Sequence, residues 1–181
     1  MINIDQNQVI NFWFEELSSR DWFKKSDALD AQIKMRFLDV YNQAIQDELW
    51  QWRENAEGAL AEIIILDQFS RNIYRNQKEA FMYDSLALAL AQNAVSLNFH
   101  LKLDAPKHAF LLMPYMHSES IVIHHQAIKL FDVPGLENNL AYEYKHFEII
   151  KQFSRYPHRN EILGRESTAD ELKFLQTHGG F

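Results

Sequence analysis

Five glycines and four prolines stand in this 181-residue chain, and their placement constrains its fold more than any other feature. Gly58, Pro106, Pro114, Pro134, Gly135, Pro157, Gly164, Gly179 and Gly180 all fall where a helical periodicity starts or stops. Between them lie long stretches with neither residue, a punctuation that suits helices joined by short turns. The first helix opens at Asp5, with Gln8 completing a capping box, and carries Val9, Phe12, Trp13 and Leu17. Ser26 caps a second, whose Leu29, Ile33, Phe37, Val40 and Ala44 recur at three- and four-residue steps. The third, about 58–69, contains the β-branched run Ile63-Ile64-Ile65. Leu60, Ala61 and Glu62 before it, with no turn signal until Gln68, mark a buried helix rather than a strand. A fourth covers about 78–96. A fifth is capped by Asp104 and closed by Pro114, and a sixth is opened by Ser118, with the stripe Ile121, His124, Ile128 and Phe131. The seventh covers about 136–154, and an eighth starts at the Thr168–Glu171 capping box and ends at Gly179-Gly180. These segments predict an all-α fold: one domain over residues 1–181, about eight helices in antiparallel pairs.

A hydrophobic fraction of 47% with thirteen Phe, seven Tyr and four Trp is enough for a packed core. Phe12-Trp13-Phe14 and Trp22-Phe23 are read as core. Trp50 and Trp52 point to opposite sides of their segment, so at least one meets solvent or a partner. The net charge of −7 argues against nucleic acid or an anionic membrane as partner, since both call for a basic surface. There is no Cys, which removes disulfides, thiolate nucleophiles and Cys-based zinc sites. The start, Met1-Ile2-Asn3-Ile4-Asp5, has no basic-then-apolar pattern of a signal peptide, and Ile63-Ile64-Ile65-Leu66 is far shorter than the roughly 20 apolar residues of a bilayer span. The expected location is the cytoplasm.

One segment occurs twice. Gln68-Phe69-Ser70-Arg71-Asn72-Ile73-Tyr74-Arg75-Asn76 returns as Gln152-Phe153-Ser154-Arg155-Tyr156-Pro157-His158-Arg159-Asn160, identical at Gln, Phe, Ser, both Arg and Asn. Each copy closes an apolar helix. The match is either chance or a duplicated unit whose two ends face a shared space. In the first copy Leu60, Ile64, Asp67 and Arg71 share one helix face, so an apolar stripe runs into a charged pair. Charges there must be paired or line a cavity. The second copy has Lys151 in place of Asp67, so Arg155 and Arg159 need acids from elsewhere (Glu119 and Asp84 are the candidates) or bind something acidic. The expected ligand-binding set is therefore Asp67, Arg71, Arg75, His117, Glu119, Arg155, His158 and Arg159. All four guanidiniums would surround one cavity that carries surplus positive charge.

Phe12-Trp13-Phe14, Trp22-Phe23, Leu66 to Asn72, Met113-Pro114, His117-Ser118-Glu119, Phe153 to Asn160 and Gly164-Arg165 occur in order. Together they resemble, over nearly the whole chain, a bacterial family known only as domain of unknown function 924. The resemblance implies an all-helical fold similar to tetratricopeptide-repeat proteins. It brings no function and no catalytic residue. One departure is His124, where the family pattern leads to an expectation of Gln.

Eight His invite a metal, but His124-His125 are adjacent on a helix and no His-Glu-x-x-His pair exists. His146, with Tyr142, Ile149 and Phe153 at helical spacing, reads as a hydrogen-bonded core residue. No metal is expected. No Gly-x-Ser-x-Gly elbow, phosphate loop or dinucleotide fingerprint is present, so no cofactor is expected either. Three readings stay open. One is a binding protein whose arginine-lined pocket takes an anionic small molecule or acidic peptide. A second is a small hydrolase-like enzyme using His and Glu as acid and base in the same pocket. The third is a structural or interaction protein whose Arg and His merely satisfy buried acids.

Overall fold

Capping side chains set the helix starts. In the computed structural model, which describes residues 4–177, Asp5 and Gln8 exchange two 2.9 Å hydrogen bonds at the head of α1 (Gln6–Asn11), which continues into a π-helical turn, Phe12–Glu16. Ser26 accepts from the Leu29 amide to open α2 (Asp27–Ala44). Asn55 accepts from the Gly58 amide to open α3 (Ala56–Ile64), which runs on through a second π-helical turn, Ile65–Phe69, into Ser70–Ile73. There follow α4 (Asp84–Ser96), α5 (Ala105–Met116), α6 (Ile121–Phe131), α7 (Glu137–Phe153) and α8 (Ala169–Thr177). Short 3-10 turns at Trp50–Glu54, Lys78–Phe81, His100–Lys102 and Pro157–Arg159 fill the connections. With 56–73 taken as one continuous helix the described residues form eight, and no strand occurs among them. The protein is an all-α helical bundle. No helix among the described residues is long and apolar enough to cross a membrane.

The bundle is organised around α3. Its residues 58–64 are buried on every side, as befits a helix hydrophobic all round. The α1, α4 and α5 helices pack on it directly, and α5–α6–α7 follow as consecutive packed neighbours. The two π-helical turns meet through aromatic rings. Phe69 lies 5.9 Å from Phe12 and 5.6 Å from Trp13, and Phe37 of α2 closes the group at 4.7 Å from Phe69. Phe12 and Trp13 are thus core, as expected. Trp22 is half-buried, its Nε1 donating to the Trp13 carbonyl, while Phe23 is largely exposed. Trp50 is exposed and Trp52 half-buried, in keeping with their opposite facing.

Two expected boundaries shift. Pro114 does not close α5; the helix continues through it to Met116, because a proline in the last turn removes only one helical hydrogen bond and the amides of His117 and Ser118 still find Met113 and Tyr115. Ser118 does not cap α6. Its Oγ accepts from the Ser120 amide at 3.2 Å, and the helix starts two residues later, after Ser120. The Thr168–Glu171 box forms as read, with bonds of 2.7 and 3.2 Å. The expected end at Gly179-Gly180 lies outside the described residues.

Candidate functional site

Asp67 sits in the middle of the π-helical turn that follows α3, wholly buried. Such turns insert one extra residue and re-aim the side chains beyond them. Its Oδ1 is 2.7 Å from His117 Nδ1, its Oδ2 accepts from Gln68 at 2.6 Å, and Arg71 Nη1 stands 3.4 Å away. Burial works to raise the Asp67 carboxyl, but the charges of His117 and Arg71 outweigh it and hold the group at about 2. His117 is the C-cap residue of α5. Burial lowers its ring below the ordinary value and Arg71 adds to the effect, against the pull of Asp67. At neutral pH the pair is a carboxylate facing a neutral imidazole.

Arg71 also donates to Asp84 Oδ2 at 3.0 Å, and Arg159 Nη1 reaches the same oxygen at 3.3 Å. Burial opposes the charge on Arg71, but Asp84 and Asp67 hold its proton more tightly than usual. Arg159 has the reverse fate: burial and the neighbouring Arg71 weaken its hold. The Arg159 guanidinium lies between two rings, 4.7 Å from Phe81 and 4.6 Å from Tyr156. Of its five N–H donors it uses one, and its buried Nε has no acceptor.

Phe81, Asp84, His117 and Arg159 border an open cleft of about 470 Å³, lined also by Lys78, Met82, Ser85, Leu88, Ser118, Glu119 and Leu163, with Asp67 and Arg71 behind its wall. Glu119 is on its wall, but fully engaged. Arg165 grips its two oxygens at 2.7 and 3.0 Å, and the Tyr156 amide donates at 2.8 Å. Burial pushes the Glu119 carboxyl up, yet these donors bring it below its usual range. The segment carrying His117 is braced from behind. Tyr156 Oη donates to the Met116 carbonyl at 2.6 Å, and buried His124 bridges Glu143 Oε1 (2.6 Å) and the Ser118 carbonyl (2.8 Å). That bridge is the work of the residue standing where Gln was expected.

The structure brings together Asp67, Arg71, His117, Glu119 and Arg159, and takes Arg75 and Arg155 elsewhere. Arg75 grips Asp30 of α2 with two donors, and Arg155 grips Glu171 of α8 at 2.6 and 2.7 Å. His158 is beside the cleft, its ring 5.5 Å from Tyr156, with burial and then Arg159 lowering it to about 4. The expectation of four arginines around one cavity is therefore corrected to one: Arg159 alone of the four lines the cleft, and Arg71 stands behind it on the shared Asp84 oxygen. The cause is Pro157, which stands where the first copy has Ile73. A helix continued through Pro157 would set its ring against the Phe153 carbonyl and lose an N–H donor, and Tyr156 before it is extended, so the second copy leaves α7 after Phe153, with Ser154 at φ 57°, and tightens into Pro157–Arg159. The first copy stays helical through Ile73. Equal spacing in sequence thus gives unequal geometry. The charge balance changes too: Arg71, Arg159 and Arg165 face Asp67, Asp84 and Glu119, and the extra cation is exposed Lys78 on the rim. Glu119 pairs with Arg165 rather than with Arg155 or Arg159. Sequence reasoning left Arg165, Phe81 and Lys78 out of the site; only Arg165 had a signal, in the Gly164-Arg165 pair. Among the described residues no three His, Asp or Glu side chains are grouped to hold a metal ion. His146 is the core residue it was read as, with Nδ1 2.8 Å from the Tyr142 carbonyl.

Residues 9–179 match a family described as bacterial protein of unknown function, DUF924. The chain belongs to DUF924. A solved structure titled as a protein of unknown function, ATU0120 from Agrobacterium tumefaciens, is similar at 32% identity and a TM-score of 0.91, over 96% of this chain and 97% of that one. No curated protein matches the chain.

Proposed function

We propose that the cleft binds a small anionic molecule, a carboxylate or phosphate, with Arg159 as the group that recognises it. One observation carries the reading. Arg36, Arg53, Arg71, Arg75, Arg155 and Arg165 each have a carboxylate contact of 3.0 Å or shorter, whereas Arg159 shares an oxygen already taken by Arg71. A nearly buried guanidinium with an unpartnered Nε, and with Nη donors that no protein group takes beyond the one on Asp84, is held at a cost that an anion would offset. Planar, bidentate donation to a carboxylate or phosphate is what a guanidinium does best, and stacking on Phe81 and Tyr156 fixes its plane. The cleft volume of about 470 Å³ suits a small molecule rather than a peptide. Lys78 on the rim adds attraction.

A thermal-shift series with inorganic phosphate, succinate and related mono- and dianions tests the reading, because a ligand that binds only the folded state raises its melting temperature. At least one anion should raise it for the parent protein and fail to do so for Arg159→Gln. Arg159→Lys should not restore the effect, since an ammonium cannot reproduce the flat fork. Equal shifts in parent and Arg159→Gln, or none with any anion, would defeat the reading.

A further inference from the structure

Asp67 does more than neutralise Arg71, because its Oδ1 lies 2.7 Å from His117 Nδ1. The Arg71 guanidinium stands farther from Oδ1, at 3.4 Å, so the closest contact of that oxygen is the imidazole. An ionised carboxylate only accepts, so Nδ1 of His117 must carry the proton, and on a neutral ring Nε2 then holds a lone pair. The His117 side chain is 18% exposed and lines the cleft, and no protein group among the described residues hydrogen-bonds Nε2. A base oriented through its far nitrogen by a buried acid, with its near nitrogen open to a cleft, is the geometry general-base catalysis needs.

We propose that the cleft is hydrolytic, with His117 activating water against the acyl carbon of an ester whose anionic group is held by Arg159. The proposal rests on the anion-binding reading of Arg159. Water is the attacking group because Cys is absent and neither cleft hydroxyl, Ser85 nor Ser118, hydrogen-bonds His117 among the described residues. Nε2 takes a proton from water while the water oxygen bonds to the carbonyl carbon, and the carbonyl electron pair moves onto its oxygen. On collapse that pair re-forms the carbonyl, the bond to the leaving alkoxide breaks, and the proton on Nε2 passes to the alkoxide. Acid and alcohol leave, and His117 is neutral again. Asp67 is a positioning residue: it fixes the tautomer and stabilises the transient imidazolium. Acyl rather than phosphoryl transfer fits, because a transferring phosphoryl group spreads charge over three oxygens and calls for several cations. Here the idle donors belong to one guanidinium.

The test uses 4-nitrophenyl hydrogen succinate, 4-nitrophenyl acetate and 4-nitrophenyl phosphate, with calorimetric titration of succinate alongside. The expected result is hydrolysis of the succinate ester above the buffer rate and faster than the acetate, with the phosphate untouched. His117→Gln, which keeps an amide donor for Asp67, should lower kcat by roughly 10²–10⁴-fold. The kcat/KM profile should rise along an acid limb below the ordinary histidine pKa. Asp67→Asn should lower kcat and move that limb to still lower pH, with Asp67→Glu recovering part of both; Arg159→Gln should raise KM. If His117→Gln does not fold by circular dichroism, carbethoxylation of His117 in the parent must abolish turnover in step, and succinate must protect it. Succinate binding without ester cleavage, cleavage unchanged in His117→Gln, or cleavage of the phosphate alone would overturn the catalytic proposal and spare the anion site. Failure of succinate and the other anions to bind would sink the anion reading instead, and this proposal with it.

Discussion

Arg71 and Arg159 donate to one oxygen of Asp84, at 3.0 and 3.3 Å, although they occupy different places in the two copies of the repeated segment. Arg71 has a second acid in Asp67, and Arg159 has none. The two guanidiniums therefore differ in what they do for the protein, and stability measurements should separate them.

Arg71→Gln takes the only guanidinium from buried Asp67, leaving it to His117 and Gln68, and leaves Asp84 with the longer Arg159 bond alone, so it should destabilise by about 3 kcal/mol in urea unfolding. Arg159→Gln loses one long hydrogen bond and two ring contacts, but also removes a buried charge with idle donors beside Arg71. Its cost should stay near about 1 kcal/mol. Equal costs for the two variants would mean that Arg159 is an ordinary structural ion pair.

Arg75 and Arg155 bind acids away from the cleft. Arg75→Gln and Arg155→Gln should lower the melting temperature, because Asp30 and Glu171 are left without their guanidinium partners. Neither should change anion affinity in titration calorimetry by more than about twofold, well under 1.4 kcal/mol. A tenfold loss in either would return that arginine to the site.

Gly58 is required by contact. A Cβ there would lie 2.8 Å from the Trp52 carbonyl carbon, closer still to its oxygen, and against the side chain of Gln6. The obstacle is backbone, so Gly58→Ala must push the 3-10 turn Trp50–Glu54 off α3. Overpacking of this kind costs about 1–3 kcal/mol. Urea midpoints, with Ala59→Gly as the control for helix propensity, check it.

Acid should weaken the fold in two stages. Burial lowers His146 to about 3, with the Tyr142 carbonyl opposing, and lowers His158 to about 4. Between about pH 6.5 and those values the unfolded chain binds protons that the folded one refuses, so stability is full above about 6.5 and falls as pH drops. His146 alone contributes a slope of up to about 1.4 kcal/mol per pH unit. Asp67, held at about 2, adds its own loss between about pH 4 and pH 2. Urea unfolding at pH 7, 6, 5 and 4 should show the first stage, and His146→Gln should make it shallower, leaving the share of His158.

The fold was legible because its signals are local. Asp5 with Gln8, Ser26, Asp104, and Thr168 with Glu171 cap helices within one turn of themselves, and the apolar stripes of α2 and α3 follow from helical spacing alone. Asp67 and Arg71 could be paired from sequence for the same reason, being four apart on one helix. Their encounter with His117, Asp84 and Arg159 could not, since it depends on how α3, α4 and α5 pack and on the path after α7. The repeated segment marks the limit: nine residues with six identities imply equal ends, and one proline in the second copy turns Arg155 to α8 and leaves Arg159 in the cleft. Local backbone chemistry determined where the helices begin and which faces they bury. Only packing decided which charges meet, because a guanidinium reaches whatever carboxylate the neighbouring helix presents, and no spacing rule within one helix encodes that neighbour.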